Sequence, residues 1–95
     1  MGTARWDMFS GGVLYASGNH TSSTTASNLT DGAAGAGSAV TAPVGAILTI
    51  TCDEIARVVI GSGAATATSG ILLQPDIARE IPIKASGTIS VIDEA

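Results

Sequence analysis

The feature that most constrains this chain is its shortage of bulky side chains. Ala, Gly, Ser and Thr fill 49 of 95 positions, while Ile, Leu and Val fill 21. Aromatics are 3% and charged residues 13%, both low for a globular domain. A chain of this length is one small domain, and domains this small with few aliphatics usually lean on disulfides, metals or association. A single cysteine, Cys52, removes a disulfide framework and any multi-cysteine zinc site. Association with other chains is the route left.

Charge narrows the partners. The net charge is −4, with only four Lys and Arg that do not cluster, so nucleic acid is excluded as a partner. There is no run of about 18 apolar residues, so no helical membrane span is expected. The start, MGTARWDMFS, lacks the basic and apolar regions of a signal peptide. The reading is an acidic module made in the cytoplasm.

The text changes character near residue 45. From Ser17 to Ala42 it holds two large aliphatics, Leu29 and Val40, among Ser, Thr, Gly and Ala, a composition that cannot build a core by itself. All ten isoleucines come later. There the apolar residues alternate: Leu48, Ile50 and Cys52 against Ile47, Thr49 and Thr51; then Val58 with Ile60, Ile81 with Ile83, and Ile89 with Val91. Period two with β-branched enrichment reads as strands. A helix over Ala46–Ile60 is disfavoured because Ile, Val and Thr are poor helix formers. Turns fall at Gly61-Ser62-Gly63, Gln74-Pro75-Asp76 and Ala85-Ser86-Gly87. Pro82 marks an edge strand, since it cannot donate to a ladder. Strands at about ten-residue spacing describe a small antiparallel β-sandwich over 45–95. Residues 1–44 read as an extended low-complexity N-terminal arm that can add a strand or two, with Gly12–Ala16 and Ser38–Thr41 as candidates.

The second half also carries a resemblance. Leu48–Cys52 with Arg57–Gly61, Ala65–Leu73 with Pro75, Arg79–Ile83 and Gly87–Ile92 resemble, over about 45 residues, the strand-and-turn texture of small β-sandwich virion proteins of tailed bacteriophages. That resemblance implies a jelly-roll-like, all-β fold and a structural role on the capsid surface, as a decoration or cement protein. It implies the major capsid protein and sister subunits as partners, often as a trimer. A head- or tail-fibre module binding a receptor or glycan is the alternative.

All three aromatics, Trp6, Phe9 and Tyr15, fall in the first 15 residues, beside Met8. Aromatics dominate interface energetics, so Arg5, Trp6, Met8, Phe9 and Tyr15 are the expected partner-binding residues. The competing reading has Trp6 and Phe9 capping their own sandwich. Ile47 and Ile92, on the outward phase of their strands, are expected to pack against sister subunits.

No catalytic, cofactor or metal site is expected. His20 sits in Gly18-Asn19-His20-Thr21-Ser22 and reads as an exposed loop residue. Asp53 and Glu54 are adjacent, so on a strand they point oppositely; with Arg57 they read as a solvated turn. Gly61-Ser62-Gly63-Ala64-Ala65-Thr66 imitates a dinucleotide loop, but the helix such a loop needs does not follow. Cys52 reads as a small buried hydrophobe.

Overall fold

A computed structural model describes residues 2–30, 39–61, 65–66 and 69–94. The described chain is all strand and turn. In order the strands are β1 (Gly2–Ser10), β2 (Val13–Ser22), β3 (Ser27–Asn28), β4 (Ile47–Cys52), β5 (Ala56–Gly61), β6 (Ile71–Leu73), β7 (Arg79–Pro82) and β8 (Thr88–Asp93). They form two four-stranded sheets, β2-β1-β4-β7 and β3-β8-β5-β6, and every pairing is antiparallel. The first is called sheet A below and the second sheet B.

Period-two patterning decides what faces inward. On β4, Leu48, Ile50 and Cys52 are buried; on β5 Val58, on β7 Ile81, and on β8 Ile89 and Val91 join them. β7 is an edge strand of its sheet, as Pro82 requires. The turn at Gln74–Asp76 closes with Ile77 N–H donating to Gln74 O at 3.3 Å.

The N-terminal residues are not an arm. Gly2–Ser10 alternates as strictly as any later segment, with Ala4, Trp6 and Met8 inside and Thr3, Arg5, Asp7 and Phe9 outside. β1 lies between β2 and β4, so the sandwich cannot be confined to 45–95. Gly11 and Gly12, with φ of 61° and 80°, make the tight two-residue reversal from β1 to β2, a turn that requires positive φ at both positions. Leu29, Val40 and Ala42 are also in the core. Their backbones are stitched in by Leu29 N–H to Ile89 O at 2.8 Å, Val40 N–H to Leu29 O at 2.9 Å and Ala42 N–H to Gly87 O at 2.8 Å. Ser38, at the start of the second candidate strand, lies outside the described residues, as do most of Gly32–Ala39 and residues 62–64 of the Gly61–Thr66 loop.

Trp6, 3% exposed, supplies the bulk that the aliphatics lack. Small residues elsewhere let the backbones approach: a Cβ at Gly87 would stand 2.5 Å from Gly61 Cα. The exposed surface is 4953 Å², against about 5,000 Å² for a monomer of this mass. That is the surface of a closed domain, not an open one. Association must therefore be argued from the surface.

Candidate partner interface

Sheet A leaves its outer face bare, and the strand registers decide what stands there. At the hairpin end, Leu14 pairs with Phe9, Phe9 with Ile47, and Ile47 with Pro82. One row of four apolar side chains thus crosses all four strands. Leu14 is 51% exposed, Phe9 44% and Ile47 47%, and Pro82 is exposed as well. Val13, Tyr15 and Val44, close in sequence to Leu14 and Ile47, are exposed as well. Tyr15 is the extra residue of a β-bulge, where the register shifts between Met8 and Phe9; such bulges increase local twist and re-aim side chains. Pro82 also borders an apolar recess of about 370 Å³, shared with Val58, Ile60, Ile71 and Ile81.

The rows beyond are polar. Ser17, Asp7, Thr49 and Glu80 stand side by side, followed by Asn19, Arg5 and Thr51. The outer face of sheet A therefore grades from apolar at the hairpin tip to polar toward Gly2.

Of the residues expected at a partner surface, Phe9 and Ile47 come together at the apolar end, and Tyr15 is exposed in the bulge beside Leu14. Arg5 is exposed two rows away. Trp6 and Met8 do not belong to any surface: they point into the core on the opposite face of β1, because they stand two and four positions on from Ala4. Capping of the chain's own sandwich describes Trp6, whereas Phe9 faces out. Ile92 points away from the core cluster but is only 9% exposed; it is unavailable to a sister subunit. Val13, Leu14 and Pro82 were not expected there. The Gly11-Gly12 pair between apolar residues was the available signal, because it announces a hairpin.

The opposite end of the sandwich holds a buried polar network. Asp93, 2% exposed, accepts Ser22 Oγ at 2.6 Å and the Gly2 amide at 3.1 Å. The Ser22 proton is committed to that carboxylate, so Cys52, with Sγ 3.7 Å from Ser22 Oγ, is the donor in their contact. Cys52 is buried. His20 is not in a loop: it lies on β2, partly buried, with Nε2 2.8 Å from Ser27 Oγ. Burial lowers its pKa from the ordinary 6.5, and the Asp93 charge opposes this in part. Arg57 bonds Glu94 at 3.2 Å rather than the Asp53–Glu54 turn, where Asp53 accepts the Thr3 amide at 2.8 Å. Among the described residues no group of three or more His, Cys, Asp or Glu is placed to hold a metal ion, and no helix is long and apolar enough to cross a membrane.

Comparison with known proteins returns no match among family models, curated proteins or solved structures.

Proposed function

We propose that this chain is a structural virion protein of a tailed phage, a capsid decoration or cement protein bound between capsid subunits through the apolar row of sheet A. The row Leu14–Phe9–Ile47–Pro82 carries the reading. Exposed apolar patches on an otherwise closed domain mark interaction sites. Leu14, Phe9 and Ile47 are each about half exposed, and each has on the order of 1 kcal/mol of burial left to gain. One such contact is weak; the same contact repeated over a symmetric shell is strong.

Two further observations support it. The strand texture of residues 48–92 resembles that of small phage virion sandwiches. The strand order also fits a jelly roll. Counting from β2 and placing β1 last, sheet A runs first, eighth, third, sixth, and sheet B second, seventh, fourth, fifth. Such an order supports a jelly-roll reading in which the last strand stands at the front of the chain. On this reading the protein sits on the capsid surface, with the major capsid protein and sister subunits, three around an axis, against the hairpin end of sheet A.

The test is to mix purified protein with capsids of the encoding phage, stripped of this chain, and measure occupancy and resistance to heat. The wild type should bind at fixed stoichiometry and raise the disruption temperature. Ile47→Ser combined with Leu14→Ser should fold normally and bind poorly. Full occupancy by that double variant would overturn the proposal, as would failure of the wild type to bind at all.

A further inference from the structure

The polar rows beside the apolar row line an open recess of about 410 Å³ on the outer face of sheet A, within the range of small-molecule sites. Its polar lining is Arg5 and Asp7 of β1, Ser17 and Asn19 of β2, and Thr49 and Thr51 of β4. Alternation puts all six on one face, and the registers place Ser17–Asp7–Thr49 beside Asn19–Arg5–Thr51.

Several polar side chains elsewhere are consumed by the fold. Ser22 and Asp93 satisfy each other, His20 meets Ser27, Arg57 meets Glu94, and Arg79 caps Leu72 O. The six in the recess have no side-chain partner among the described residues. They offer a carboxylate that accepts, a guanidinium that donates, and an amide and three hydroxyls that do both. The charges of Asp7 and Arg5 stand in adjacent rows and offset one another, so neither an anion nor a cation is favoured.

We propose that this recess binds a neutral oligosaccharide. Vicinal hydroxyls are the ligand chemistry that fits: each pair presents donors and acceptors at the spacing of a carboxylate, amide or guanidinium edge, without net charge. The site is open and its side chains are solvated before binding, so the affinity is weak, with Kd on the order of 1 mM for a disaccharide. Repetition over a particle raises it. This activity goes beyond the capsid role and rests on different residues.

The experiment is an NMR titration of the isotope-labelled protein with lactose, maltose, trehalose and diacetylchitobiose, each to about 10 mM, alongside binding to a printed array of neutral and sulfated glycans. Expected are saturable amide shifts with at least one neutral sugar, confined to residues 5–7, 17–19 and 49–51. Asp7→Ala and Asn19→Ala should each weaken them about tenfold, while both variants keep the wild-type melting temperature. Ile47→Ser, which should impair capsid binding, should leave the titration unchanged. Absence of saturable shifts and of array binding would overturn the inference, as would preference for sulfated glycans or shifts insensitive to the two recess variants. Loss of capsid binding with an intact titration would strike only the capsid proposal.

Discussion

Sheets A and B contribute to one core, yet their outer faces have opposite fates. On sheet B the outward side chains of β8 are covered by the chain itself: Ser90 is 1% exposed and Ile92 9%, and the Ala65 amide donates to Ser90 Oγ at 2.9 Å, which brings Ala65 onto that face. On sheet A the corresponding positions of β1, β2 and β4 are Phe9, Leu14 and Ile47, left bare. Outward isoleucines on strands 45 residues apart in sequence thus have different roles. The lesson is that strand phase predicts direction, while accessibility depends on whether a later segment returns over the face.

The largest effect that can break this comparison lies on β1. Trp6→Ala should lose about 3–5 kcal/mol, seen as a fall of many degrees in melting temperature, whereas Phe9→Ala, three residues on, should lose only about 1 kcal/mol. Equal losses would mean that the two faces of β1 are not distinct.

Next comes the contrast between the sheets. Ile92→Ser should destabilise by roughly 1.5–3 kcal/mol, measured by urea unfolding, while Ile47→Ser leaves stability nearly unchanged and reduces only association. If Ile92→Ser is silent, the outer face of sheet B is open after all.

A third test sits where the sheets meet at the Gly2 end. Ser22→Ala removes the 2.6 Å donor from buried Asp93 and strands a carboxylate lone pair and the Cys52 thiol. The expected loss is about 1–3 kcal/mol, and it should be larger than that of Ser17→Ala on the bare face of the same strand. A difference near zero between the two would deny β2 its two-sidedness.

The smallest effect is a pH slope. Burial holds the His20 imidazole below its ordinary value of 6.5. As pH falls, the unfolded chain takes up a proton before the folded one does, so stability is full above about 6.5 and declines below it. His20→Gln should flatten that part of the slope in denaturation curves recorded from roughly pH 7.5 to 5. An unchanged slope would place the titration elsewhere.

Much of the fold was legible because alternation is a local signal. Leu48–Cys52, Ile81 with Ile83, and Ile89 with Val91 needed only period two and turn chemistry. β1 has the same signal in Ala4, Trp6 and Met8, but its outward Phe9 disguised it: an aromatic outside and an aromatic inside on one strand read together as an anchor. Residues 17–42 carry almost no amplitude, since Ser, Thr, Gly and Ala differ little in burial preference; Leu29 and Val40 find the core through backbone bonds that no pattern announces. The candidate interface was legible only in pieces. Phe9, Tyr15 and Ile47 stood out as large apolar residues, whereas their union with Leu14 and Pro82 is a property of register across four strands, set by the Gly11-Gly12 reversal and the bulge at Tyr15.

The contact between Gly2 and Asp93 has a practical consequence. It lies about 23 Å of strand length from Phe9, so the apolar row occupies one pole of the molecule and the Gly2–Asp93 contact the other. A tag or foreign domain fused genetically before Gly2 or beyond Asp93 would point away from whatever the hairpin tip grips, and the protein could carry that cargo outward without loosening its hold.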